Sequence, residues 1–204
     1  PSLQPIARPW RAPAELFVRV IGGGKYMNCT AIIISISALA FTVFSFWWMN
    51  WRKGTIRLGS NLRSYAACAS QNRLLIELPL IFFNTGAVPL VVENLRLHLP
   101  KITEENKYLF FNATVAKLGT DENRGFAKPF SIRGGDVLEI ICEFQNTSTS
   151  FKFEEGEYEF KIQALLGHKE DWLTLREYTI NARGDALKTL NERLITHDNQ
   201  KMQP

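Results

Sequence analysis

Three cysteines and three histidines are the residues best suited to chemistry in this chain of 204. Cys29, Cys68 and Cys142 form no CxxC pair, which removes a redox dithiol and a haem-attachment motif. Cys142 ends the apolar run Leu138-Glu139-Ile140-Ile141-Cys142 and reads as a buried free thiol. A Cys68–Cys142 bridge would require an oxidising compartment. His98, His168 and His197 are scattered, with no neighbouring Cys or carboxylate at metal-ligand spacing. Glu154, Glu155, Glu157 and Glu159 could attract Ca²⁺, but Glu157 and Glu159 alternate outward along a strand and read as a solvated acidic edge. No nucleophile elbow, phosphate-binding loop or zinc-protease motif occurs. The expectation is therefore no enzyme, no metal and no cofactor of the chain's own. The sequons at Asn28, Asn112 and Asn146 matter only in a secretory pathway.

The dominant element is a stretch without charge between Lys25 and Arg52. Met27 to Trp51 would span about 37 Å as a helix, enough to cross a bilayer with some tilt. Tyr26 stands at one end and Trp47, Trp48 and Trp51 at the other, followed by Arg52 and Lys53, as aromatic rings and basic groups sit at headgroup level. The run is too long for a signal-peptide core and ends in bulky residues, so it reads as an uncleaved anchor. Ala31, Ser35, Ala38, Thr42 and Ser45 recur at spacings of four and three, forming one stripe of small side chains. Such a stripe lets a second membrane helix approach closely. The opposite side carries Ile33, Ile36, Phe41, Val43, Phe44 and Trp48.

Upstream, residues 1–26 are rich in proline, and PAELFVRVI predicts a short amphipathic helix from Pro13 that lies in the interface beside Trp10. The net charge of +4 is unevenly placed: +3 over residues 1–26, +5 over 52–76 and −4 over 77–204. A basic collar around an apolar span fits anionic lipid better than nucleic acid. Both flanks carry similar numbers of Lys and Arg, so the positive-inside rule discriminates little. The short N-terminal tail favours a translocated, extracytoplasmic or periplasmic domain, while the basic run 52–73 argues the other way.

Beyond the collar, the apolar pattern takes strand form at 73–83, 88–99, 107–118, 128–132, 136–144, 156–165 and 172–181, separated by Gly- and Asn-rich turns. Leu95, Leu97 and Leu99 alternate with Arg96 and His98, as in an antiparallel sheet with one buried face. The segment Glu154-Glu155-Gly156-Glu157-Tyr158-Glu159-Phe160 resembles the acid-x-Gly-x-Tyr-x-Cys signature of immunoglobulin-like domains. The resemblance implies that Tyr158 bonds back to the upstream backbone. Phe160 stands where the family's disulfide Cys would be.

The predicted fold is mainly β: a seven-stranded antiparallel Ig-like sandwich with one N-terminal transmembrane helix and short flanking amphipathic helices. Its parts are a tail with interfacial helix (1–26), the membrane helix (27–51), a basic linker (52–72), the sandwich (73–183), and a C-terminal helix and tail (184–204). Asp185 is the expected N-cap of a helix running to Thr196, with Leu187, Leu190 and Leu194 on one face, and HDNQKMQP is the expected mobile end.

These features predict a non-catalytic accessory subunit of a larger integral membrane complex, photosynthetic or respiratory. Its partners would be integral membrane subunits and anionic lipid, with contact to lipid or pigments held by neighbours. The alternative is a membrane-tethered binding or adhesion module for a soluble ligand or peptide.

Overall fold

A computed structural model describes residues 26–70, 72–100, 107–120, 122–147, 150–167 and 169–199. The chain divides into two compact units, Pro1–Trp47 and Trp48–Pro204. Helix α1 (Tyr26–Asn50) provides the described part of the first unit and reaches into the second. Its stretch Cys29–Asn50 is long and apolar enough to cross a membrane. Within that stretch every residue is exposed except Ser45, which is half-buried. A helix that is apolar on all sides needs lipid or protein around it. The expected interfacial helix near Pro13 and the interface residue Trp10 lie outside the described residues.

The second unit is an antiparallel sheet. Its strands are β1 (Ile56–Leu58), β2 (Ser64–Ser70), β3 (Arg73–Asn84), β4 (Leu90–His98), β5 (Tyr108–Val115), β6 (Gly125–Phe126), β7 (Phe130–Ile132), β8 (Val137–Asn146), β9 (Gly156–Leu166), β10 (Leu173–Ala182) and β11 (Ile195–Asp198), with helix α2 (Asp185–Glu192) before the last. Hydrogen bonds link them in the order β10-β9-β4-β5-β8-β3-β2-β11, with β1 on β3, β6 on β5 and β7 on β4. Strict alternation builds the core: Phe160, Ile162, Ala164 and Leu166 on β9, and Leu74, Ile76, Leu78, Leu80 and Phe82 on β3, all point inward.

The sheet curls until its two ends meet. Register shifts in β4, β5 and β10 bend the strands. Three side chains then bond across the seam. The Tyr178 hydroxyl donates to the Gly59 carbonyl at 2.6 Å, Tyr65 donates to Asn181 at 3.0 Å, and the Asn199 amide donates to Thr179 at 2.8 Å. The last two satisfy carbonyls of the terminal strand β10 without a further strand, which blunts a sticky edge. Helix α2 packs beside β2 with Leu190 fully buried, and Asn191 exchanges two hydrogen bonds with the backbone of Phe153.

All seven expected strands form, but within one curled sheet of eleven rather than a two-sheet sandwich of seven. Residues 52–72, expected as a linker, carry β1 and β2. The sequence of β2, SYAACAS, has no alternation because both its faces are covered: Tyr65 to Ala69 are all buried. The C-terminal helix ends at Glu192 instead of Thr196, and Gly184, not Asp185, occupies its N-cap. Residues 195–199, part of which was expected to be mobile, are fixed instead. β11 pairs with β2, and Asn199 bonds Arg63, Leu62 and Thr179.

Candidate functional site

A 25-residue helix has about seven turns, so Ala31, Ser35, Ala38, Thr42 and Ser45 fall within one narrow stripe along α1. Thr42 satisfies its own hydroxyl by donating to the Ala38 carbonyl at 2.8 Å. Trp47 packs against Phe44 with ring centroids 6.1 Å apart. Trp47, Trp48 and Trp51 are all exposed near the helix end, and Tyr26 begins the helix.

The chain leaving the helix is tied to the β domain at once. The Arg52 guanidinium lies 4.7 Å above the Trp48 ring and donates to the Thr85 carbonyl at 2.7 Å. The Ala87 N–H donates to the Arg52 carbonyl at 2.8 Å, and Thr55 and Thr85 bond through backbone and hydroxyls. Gly54 and Gly86 cross so closely that a Cβ on Gly54 would stand 1.9 Å from the Gly86 nitrogen. Only glycine lets two backbones meet this way. Arg52 is half-buried, and Lys53 after it is exposed.

The outward surface of the sheet holds a cluster that strand alternation did not single out. Glu77 on β3 and Glu143 on β8 stand directly opposite in register, both fully buried beneath the turn joining β5 to β6. That turn acts as a strap. Gly119, at φ 70°, donates its N–H to Glu77 at 2.7 Å, and Arg124 grips Glu143 with two hydrogen bonds of 2.9 and 2.7 Å. Asn112 adds a bond to Glu143 at 2.8 Å and one to Gln145 at 3.0 Å. Burial raises the Glu143 pKa, but hydrogen bonds from Arg124 and Asn112 and the charges of Arg124 and Arg73 outweigh it and hold the carboxyl below its ordinary value. The signal available in sequence was a carboxylate inside each apolar run, LLIELPL and LEIICEF. Asn112, read as a sequon, spends its amide on this cluster.

Cys68 and Cys142 are free and buried, Cys142 within the core, where burial pushes its thiol strongly up. Cys29 is exposed on α1. His98 stacks on Tyr108 at 5.0 Å, and His197 lies 5.4 Å from Tyr65, its pKa lowered by burial. His168 lies outside the described residues. Among the described residues no group of three His, Cys, Asp or Glu could hold a metal. Glu154, Glu155, Glu157 and Glu159 are exposed, as a solvated edge requires. At Gly156 the chain enters β9. Two residues on, the Tyr158 hydroxyl accepts the Glu154 N–H at 2.8 Å and donates to the Glu154 carbonyl at 3.1 Å. An open cleft of about 400 Å³ between β5, β8 and the strap is lined by one carboxylate, Glu139. A lone carboxylate supplies neither an acid–base pair nor a ligand set.

No protein-family model and no curated protein matches this chain. Among solved structures, a Bacillus subtilis protein described as a lipoprotein (ycdA) is similar over 70% of this chain and 41% of its own length, at 12% identity and a TM-score of 0.39. A protein from Archaeoglobus fulgidus is similar over 62% of this chain and 98% of its own, at 13% identity and a TM-score of 0.36. A family 123 glycoside hydrolase from Clostridium perfringens is similar over 63% of this chain and 27% of its own, at 13% identity and a TM-score of 0.28. All three are distant in shape as well as in sequence, and no part of the functional reading rests on them.

Proposed function

We propose that this chain is a membrane-anchored, non-catalytic accessory subunit of a larger integral membrane complex. Helix α1 crosses the bilayer and docks on a neighbour's helix through Ala31, Ser35, Ala38, Thr42 and Ser45, while the β domain braces the assembly from the extracytoplasmic side. The observation that carries this reading is the surface of α1: twenty-two apolar-rich residues, Cys29–Asn50, none of them buried by the chain itself. In lipid, helices associate through close packing, and a smooth small-residue face is what permits it. The Tyr158 corner remains the basis for a relationship to Ig-like domains.

Purification in mild detergent followed by mass spectrometry tests the reading. Partner subunits are expected with the wild-type chain and lost from the Ser35→Leu, Thr42→Leu double variant. A wild-type monomer without partners overturns it. Protease protection in oriented vesicles decides on which side the β domain lies.

One observation favours a tethered binding module as a second reading. On the outward face of the sheet Arg96 is held between the rings of Tyr108 and Trp172, 4.2 Å from each, with its Nε donating to Gln163 at 2.8 Å. Beside it Phe110 is 55% exposed. A guanidinium fixed in this way is preorganised for an anionic ligand. Binding by the β domain without its helix would favour this reading over the first.

A further inference from the structure

We infer that the outward face of the β domain beside β1 rests on the bilayer surface, placing Ile81, Phe83 and Val137 at headgroup level and the nearby Arg57 and Lys53 on anionic lipid. The inference depends on α1 spanning that bilayer. Ile81 and Phe83 point away from the core because Leu80 and Phe82 point into it, and each is 37% exposed. Val137, 52% exposed, is the register partner of Phe83. Gly59 lies against both β3 residues, its bare α-carbon leaving them uncovered: a Cβ there would sit 3.5 Å from the Ile81 Cβ and 3.9 Å from the Phe83 ring. Further along the same face of β3, Leu75 and Glu77 are buried, so the exposed apolar side chains gather at one end.

That end is the one where the chain leaves α1. Arg57 pairs with Phe83 and is five residues from Arg52, a reach of about 17 Å at most. Arg52 in turn joins the Trp48 ring to Thr85, two residues beyond Phe83. Tryptophans at a span's end mark the headgroup layer, so the exposed trio stands within reach of it. Charge agrees with this occupant. Residues 52–76 hold five basic groups and no acid. Glu139, opposite Ile81, and Asp136, bonded to the Val137 N–H, are the acids beside the trio. Apolar side chains rimmed by Lys and Arg are the composition by which protein surfaces enter the interface of anionic membranes.

The test uses the full chain, with Cys29→Ser, in nanodiscs of phosphatidylcholine with or without phosphatidylserine. A single environment-sensitive fluorophore is attached at Phe83→Cys, at Val137→Cys, at the 87% exposed Phe126→Cys, or in mid-helix at Val43→Cys. Labels at 83 and 137 are expected to lose about half their emission to shallow spin-labelled lipid, more with phosphatidylserine, while the label at 126 loses none. Lys53→Glu with Arg57→Glu should abolish the phosphatidylserine dependence. Quenching at 43 but not at 83 or 137 overturns the inference and leaves the anchor intact. Absence of quenching at 43 overturns the anchor itself. A label at 83 that is shielded from water without lipid quenching reveals a protein neighbour and also overturns the inference.

Discussion

The two ends of one pair of strands treat their outward side chains in opposite ways. Where β3 and β8 pass beneath the β5–β6 strap, two carboxylates are buried. Where the same strands approach β1, Ile81, Phe83 and Val137 are exposed. Polarity alone would have predicted the reverse. Coverage decides the matter: the strap donates hydrogen bonds to Glu77 and Glu143, and for Glu143 they outweigh the cost of burial, whereas Gly59, just past β1, lays no side chain over Ile81 and Phe83. The strap end spends its surface on holding itself together, whereas the β1 end leaves its surface available.

The sharpest way to break the contrast is to remove the grip on Glu143. Arg124→Ala leaves that buried carboxylate with the Asn112 hydrogen bond and the charge of Arg73 but no ion-pair partner, and breaking a buried pair costs about 3 kcal/mol or more. Denaturant unfolding of the detergent-solubilised chain, followed by near-ultraviolet circular dichroism, should show a loss of that size. Introducing Glu143→Gln into the same background should recover part of it, because the charge is gone. An unchanged midpoint for Arg124→Ala would mean that the strap does not stabilise the sheet.

Acid should loosen the strap end while sparing the β1 end. Glu143 has its pKa depressed in the folded state, so the stability it confers is fully present above its ordinary value of 4.5 and is lost as pH falls through the folded value. His197 is also depressed, from 6.5, because burial disfavours its cation. The unfolded chain therefore takes up that proton first, and stability begins to fall as pH drops below about 6.5. Two steps are expected: an upper one removed by His197→Asn, and a lower one that persists in that variant. Hydrogen exchange should report the lower step at the Gly119 amide, bonded to Glu77 on the strap, before it reaches the Ala87 amide at the β1 end. Simultaneous release of both amides would remove the distinction between the two ends.

How much of this was legible in the sequence follows from which signals are local. The seven strands expected from the sequence, β3, β4, β5, β7, β8, β9 and β10, are apolar runs set off by turn residues, and both signals are local to the chain, so these strands were readable. β2 and β11 were not, because Ala and Ser in one and Ile-Thr-His-Asp in the other signal a strand only once a partner is in place. The difference between a sandwich and one curled sheet rests on Tyr65, Tyr178 and Asn199, whose partners lie 116, 119 and 20 residues away. No window along the sequence contains those pairs. The helix stripe was visible because helical periodicity is local, but the Glu77–Glu143 cluster depends on register between β3 and β8 and on a turn that folds back over both.

The smallest expected effect is at the bare end. Val137→Thr exchanges a methyl for a hydroxyl at a position 52% exposed, so it should change unfolding free energy by no more than about 0.5 kcal/mol. Thr fits a strand almost as well as Val, and the hydroxyl can reach water. A loss of several times that amount would mean that Val137 is covered by part of the chain itself, and the outward face would then be a second core rather than an open surface. A null result sharpens the comparison: the strap end needs its polar side chains to fold, while the β1 end keeps an apolar side chain that folding does not require. An exposed apolar side chain that folding does not require is free to make a contact outside the β domain.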